Sequence, residues 1–194
     1  NSQKDDLKMI DISKTYCNPT PLPDYPLGRN CFNENYPHRA DYRETADPTV
    51  IFEGGKWYLY PSCGMVYWTE DFVRWKHKKI EPYDCGYAPT VVKHKGKFYL
   101  LACSSQLYVS NSPAEDFNPI GFLHDTKGNE VLVDDPMLFS DSDERLYLYC
   151  GCGRDIKGCE LDADNPTQML CDLRVMGADA DMADDTGLFE AHDV

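Results

Sequence analysis

Three stretches of the chain repeat one pattern of apolar and polar positions. Pro48 opens TVIFEGGKWYLYPSCG, Pro89 opens TVVKHKGKFYLLACSS and Pro136 opens MLFSDSDERLYLYCGCG. In each, a short β-branched or apolar run meets a polar turn, and a run rich in aromatics returns, which is the pattern of a β-hairpin. The hairpins predict strands over 48–53 and 57–62, 89–94 and 98–103, and 136–140 and 145–150. Beyond the first hairpin, Val66 to Arg74 reads as a third strand and a tight turn, with a fourth strand beginning at Trp75. Gln106–Ser110 and Ile156–Leu161 take the third-strand place in the other two units.

From Pro48 to Pro89 is 41 residues and from Pro89 to Pro136 is 47, close to one four-stranded blade of a β-propeller. A β-sandwich of irregular hairpins is the alternative, but a sandwich has no reason to show a period. Known propellers close with about four to eight blades. Three units and the start of a fourth near Gly187–Val194 therefore lead us to expect that residues absent from this sequence finish the ring. The expected organisation is one β-propeller domain over 1–194, with 1–42 as a lead-in segment.

Composition agrees: 13 Tyr against 3 Trp, and 13 Gly with 13 Pro, suit many short strands broken by turns. A net charge of −14 in 194 residues and a pI near 4.6 repel polyphosphates and anionic lipid, which argues against nucleic acid and membrane partners. The chain opens on Asn1-Ser2-Gln3-Lys4-Asp5-Asp6, without the apolar stretch of a signal peptide. The expectation is a mature periplasmic or extracellular chain, with a cytoplasmic protein as the alternative. Nine cysteines show no CxxC pair and no zinc-finger spacing, so no metal site is expected. Cys63, Cys103, Cys150 and Cys152 end apolar runs and read as small buried hydrophobes. Cys17, Cys31, Cys85, Cys159 and Cys171 read as loop residues that allow one or two bridges in an oxidising compartment. His77, His94 and His124 read as surface residues.

The first strand of a propeller blade lines the central channel, so acids at the blade starts converge. Asp47 precedes Pro48, Asp135 precedes Pro136, and Glu190 stands at the presumed fourth start, while the second start, Tyr87-Ala88-Pro89-Thr90, carries none. Carboxyl groups in pairs are what glycoside hydrolysis needs: one donates a proton to the leaving oxygen and the other activates water or attacks the sugar. A third, ionised acid nearby can keep the donor protonated near neutral pH. The competing reading of each Asp-Pro pair is a turn device, with Asp capping backbone N–H groups.

These residues resemble glycoside hydrolase family 43. Arg43-Glu44-Thr45-Ala46-Asp47-Pro48-Thr49-Val50 is similar to the family's general-base motif, and Val133 to Phe139, containing Asp135, to the motif of the acid that modulates pKa. The segment from Gly64 to Trp75 is similar to the blade edge that follows the base motif. Phe189-Glu190-Ala191-His192 occupies the place of its general-acid motif, with Ala191-His192 where the family has Gly-Pro. The resemblance implies a five-bladed propeller acting on arabinose-, xylose- or galactose-containing glycans. It implies inversion, with Asp47 as general base, Asp135 as modulator and Glu190 as general acid. No cofactor is required, and a structural calcium ion has no assignable ligands.

Asp134 competes with Asp135, but alternation along a strand points the two to opposite faces. Glu44 and Asp41 compete with Asp47. Arg43 could bond sugar hydroxyls, as could Arg39 and His38, or make surface pairs. Tyr67 and Trp68 offer apolar rings for a sugar face or pack within the blade. Arg154 is a candidate at the channel mouth. His192, two residues after Glu190, shares its face on an extended strand. The expected partner is an oligosaccharide or polysaccharide substrate. Rival functions are a non-catalytic carbohydrate-binding propeller, a retaining sucrose-type glycosidase or transferase with carboxyls near 5–5.5 Å apart, and a protein-interaction propeller.

Overall fold

The computed structural model describes residues 22, 45–62, 64–81, 87–152 and 155–176. The strands among them are β1 (Thr49–Glu53), β2 (Lys56–Tyr60), β3 (Met65–Thr69), β4 (Lys76–Lys79), β5 (Thr90–His94), β6 (Lys97–Leu101), β7 (Gln106–Ser110), β8 (Asn118–Phe122), β9 (Met137–Ser140), β10 (Leu146–Cys150), β11 (Lys157–Leu161) and β12 (Arg174–Val175). There is no helix among the described residues. The strands form three antiparallel sheets of four, in the orders β1-β2-β3-β4, β5-β6-β7-β8 and β9-β10-β11-β12. Three separate meanders, each a blade, replace the two face-to-face sheets of a sandwich. Every strand of the three hairpins lies within two residues of its expected bounds.

Local turn chemistry explains the hairpins. Gly54 and Gly55, at φ of 56° and 79°, close the turn between Glu53 and Lys56, and Lys95 and Gly96, at 46° and 77°, close the one between His94 and Lys97. Both central residues at positive φ give the type I′ geometry whose twist suits a two-residue hairpin. The β3–β4 turn is tied by side chains instead. Thr69 Oγ1 accepts the N–H of Asp71 (3.1 Å) and Phe72 (2.9 Å). Asp71 Oδ1 accepts the N–H of Val73 (3.0 Å) and Arg74 (2.8 Å), while Arg74 Nε donates to Oδ2 at 2.8 Å.

The backbone N–H groups of Arg74 and Val73, and then the Arg74 guanidinium, hold the Asp71 carboxyl well below the usual carboxylate range. A carboxylate with its pKa depressed by folding stabilises the fold above its unfolded value, about 3.9, and loses that contribution as pH falls through the folded one. Urea midpoints at pH 7 and pH 3 should therefore differ more in the native protein than in Asp71→Asn. Equal pH dependence would show that the turn contributes nothing through its charge.

Packing distinguishes the middle blade from its neighbours. Side chains alternate across a strand, and β6 uses both faces: Phe98 and Leu100 enter one core with Tyr58, Tyr60, Val66 and Phe117, and Tyr99 and Leu101 enter the other with Leu138, Leu146, Leu148 and Leu161. Burial on both sides is why Phe98–Leu101 reads as an unbroken apolar run. In β10, by contrast, only Leu146, Leu148 and Cys150 are buried, and alternation is visible. The outer faces of the first and third blades expose Val50, Phe52 and Phe139, at 48%, 58% and 43%.

Three expectations are corrected here. His94 is not a surface residue but is buried between the second and third blades, where Nδ1 pairs with the Ser140 hydroxyl (2.8 Å) and Nε2 donates to the Ala163 carbonyl (3.1 Å). The alternation of β5 (TVVKH) puts it on the core face with Thr90, and both ring nitrogens find partners, which is what burial of a polar ring demands. Cys159 lies in β11 rather than in a loop, and burial pushes its thiol up to about 12. Cys150 is buried as expected and Cys103 half-buried, but Cys152 is exposed because the chain has already left β10. These four and Cys171 are free thiols, while Cys17, Cys31, Cys63 and Cys85 lie outside the described residues.

Candidate active site

The strand that opens each blade stands at the edge where the three sheets meet. Thr49 Oγ1 at the start of β1 donates to the Pro89 carbonyl (2.7 Å), and Thr90 Oγ1 at the start of β5 accepts the N–H of Leu138 in β9 (3.0 Å). A cavity of about 300 Å³ lies between these strands, lined by residues 47–50, 88–91 and 136–138. The blade starts, scattered over the sequence, are thus neighbours in space.

The residue before each opening proline has the same backbone. Asp47, Ala88 and Asp135 take φ of 47°, 47° and 43°, a left-handed conformation that is costly for a residue with a side chain and least so for Asp and Asn. Because Ala88 shares it, the conformation belongs to the architecture: it turns the incoming chain into the inner strand. Two bonds recur around it. The carbonyls of Ala46, Tyr87 and Asp134 accept the N–H of Ser62 (3.0 Å), Cys103 (3.1 Å) and Gly151 (2.8 Å), residues just beyond the second strand of the same blade. Across the blade boundary, Ala88 donates its N–H to Ser62 Oγ (3.1 Å), and Asp135 to Cys103 Sγ (3.3 Å). At the third of these positions a side chain has no room, since a Cβ on Gly151 (φ 121°) would stand 2.4 Å from the Asp155 carbonyl oxygen.

Asp47 is exposed on the wall of this cavity, so its carboxylate is open to water and ligand. Asp135 is half-buried and immediately precedes Pro136 in the wall, and the Cys103 thiol donates to its Oδ1 at 3.8 Å. Burial first, with the Asp135 and Asp134 charges adding, pushes that thiol up to about 11, so it stays protonated. Asp134, the competitor of Asp135, is exposed and contributes its carbonyl to the Gly151 bond.

The remaining sequence candidates divide. Tyr67 is completely buried with its ring 5.7 Å from that of His77, so it takes the packing role of its two readings, since a sugar platform needs an open face. Trp68 is half-buried and lines a separate cavity of about 280 Å³ at the β3–β4 turn with Asp71, Arg74 and Trp75. The structure does not bring it to Asp47. Glu190, Arg43, Arg154 and His192 lie outside the described residues, as do Glu44, Asp41, Arg39 and His38. Among the described residues, no three His, Cys, Asp or Glu side chains are grouped to hold a metal ion. Cys103 was legible only as a packed hydrophobe, yet a signal existed: it stands fourteen residues after Pro89, as Ser62 stands fourteen after Pro48.

No family model matches the chain and no curated protein matches it in sequence. Solved structures do match. An α-L-arabinofuranosidase from Clostridium thermocellum is similar with a TM-score of 0.54 at 20% identity, over 68% of this chain and 56% of that one. A family 43 arabinoxylan arabinofuranohydrolase from Bacillus subtilis, in complex with cellotetraose, gives 0.56 at 19%, over 71% and 42%. An α-L-arabinanase from Cellvibrio cellulosa, complexed with arabinohexaose, gives 0.52 at 18%, over 75% and 57%. The chain spans about half the length of the structures it matches. At these identities the likeness is one of fold: the three blades are built as in the propellers of glycoside hydrolase family 43.

Proposed function

We propose that this chain forms part of a glycoside hydrolase that cleaves arabinofuranosides, xylosides or galactofuranosides with inversion, in a ring of five blades. The observation that carries the reading is the single cavity where the blade-opening strands meet, with Asp47 on its wall and Asp135 at the equivalent backbone position two blades on. The similar structures, an arabinofuranosidase and an arabinanase, support the arabinose-containing part of this substrate class. Val50, Phe52 and Phe139, exposed on the outer faces of the first and third blades, supply apolar surface for further blades to cover.

In this mechanism Asp47 deprotonates a water on one face of the sugar and Glu190 protonates the departing oxygen from the other, and inversion asks for about 6.5–9.5 Å between two such carboxyl groups so that the water fits. The role proposed for Asp135 is to keep the general acid protonated through the negative charge of its carboxylate. Protons are taken and supplied by carboxyl groups alone, so the reaction needs no cofactor. A polymeric glycan does not cross membranes, which suits an extracellular protein, while oligosaccharides released from it suit a periplasmic one. Proton NMR of the sugar first released by the whole protein, recorded before mutarotation, tests the reading: inverted configuration is expected. Retained configuration would make Asp47 a nucleophile instead of a base.

A further inference from the structure

The bond across each blade boundary joins two residues that are far apart in sequence, and at the second boundary it falls on a residue of the proposed site. Ser62 Oγ receives the N–H of Ala88, and Cys103 Sγ receives that of Asp135, at corresponding places in successive blades. Ala88 and Asp135, like Asp47, are held at positive φ before an opening proline, a conformation that persists only where the surroundings over-determine it. At the second boundary the contact is doubled, because the Cys103 thiol also donates to Asp135 Oδ1 at 3.8 Å. Backbone and carboxyl of Asp135 therefore both rest on one side chain of the preceding blade.

We propose that the side chain just beyond the second strand of the first and second blades, Ser62 and Cys103, positions the start of the blade that follows, and that Cys103 in this way is a positioning residue for Asp135. The inference rests on the catalytic reading of Asp135 given above. Cys103 touches no reacting atom; it fixes the direction in which the Asp135 carboxylate points, and with it the distance from that charge to the general acid. Serine already does the same work at Ser62, so serine at 103 keeps both the acceptor for the N–H and a donor for the carboxylate, whereas alanine removes both.

The test compares Cys103→Ala, Cys103→Ser and Asp135→Asn in the whole protein, on aryl arabinofuranosides, xylosides and galactofuranosides, with kcat/KM followed from pH 5 to pH 9. A displaced catalytic group costs about 10- to 100-fold. Cys103→Ala should lose that much and move the alkaline limb to lower pH, as the general acid loses the charge that keeps it protonated. Cys103→Ser should restore both. If Cys103→Ala leaves the limb in place while Asp135→Asn moves it, the positioning role is overturned and the catalytic reading stands. If Asp135→Asn itself leaves rate and limb unchanged, the catalytic reading of Asp135 has failed, and the inference with it. A loss in Cys103→Ala that serine fails to rescue, matched by an equal fall in thermal midpoint for both variants, assigns Cys103 to packing alone and also overturns the proposal.

Discussion

Asn in place of Asp47 is expected to lower turnover by about 10²–10⁴-fold, the range for loss of a general base, and by the same factor for good and poor leaving groups. Water must be activated whichever group departs, and Asn accepts no proton. Glu190→Gln should behave differently. A sugar alkoxide must receive a proton as its bond breaks, whereas a nitrophenolate leaves nearly unaided, so the loss should approach that of Asp47→Asn on natural glycans and be slight on nitrophenyl glycosides. Steady-state kinetics of both variants on both substrate types give the answer. Equal losses on both substrates in Glu190→Gln would remove Glu190 from the acid role and send the search to His192 and Asp193.

The second large effect is on stability. Phe117 is fully buried between the first and second blades, edge-on to Tyr60 with ring centroids 6.2 Å apart, and Tyr60, 1% exposed, donates its hydroxyl to the Pro113 carbonyl at 2.5 Å. Phe117 thus holds the β7–β8 connection of one blade against the hairpin of another. Truncation to Ala removes a buried aromatic ring and leaves a cavity that a stiff blade interface fills poorly, which costs about 3–5 kcal/mol. Urea unfolding of the whole protein should show it as a lowered midpoint with an unchanged slope. Tyr60→Phe keeps the ring and loses one hydrogen bond, so it should cost only about 1–3 kcal/mol, the range for leaving a buried carbonyl without its donor. If Phe117→Ala costs no more than Tyr60→Phe, the ring contact is not what joins the blades.

Much of the fold was legible because hairpins are local. A two-residue turn such as Gly54-Gly55, between runs of β-branched and aromatic residues, carries its own signal, and the proline that opens each unit marks the period. The outer strands were less visible. β8 has the sequence NPIGF, whose Pro119 and Gly121 suit a strand interior poorly, and it pairs with β7 across a bulge between Leu107 and Tyr108. An edge strand tolerates such residues because half of its backbone groups have no neighbour to satisfy. β12, two residues long, has no periodicity to read. Of the candidate site, the sequence carried Asp47 and Asp135 as acids before prolines, and beyond the matching offsets of Ser62 and Cys103 from their opening prolines it carried nothing about their surroundings.

The sequence by itself determined the strands of the hairpins, the repeat that groups them into blades, and the acids at two of the blade starts, because all three are written in residues close together along the chain. Tertiary structure decided what those residues meet. Period two says which side chains share a face of a strand but not what covers that face, so the burial of His94 against Ser140 and Ala163, and of Tyr67 within its blade, became evident only once the sheets were packed. The same holds for Cys103 and Asp135, 32 residues apart in sequence. Their contact exists because the residues just beyond β6 of the second blade lie beside the start of the third, a juxtaposition set by the packing of the sheets rather than by any local preference of either residue.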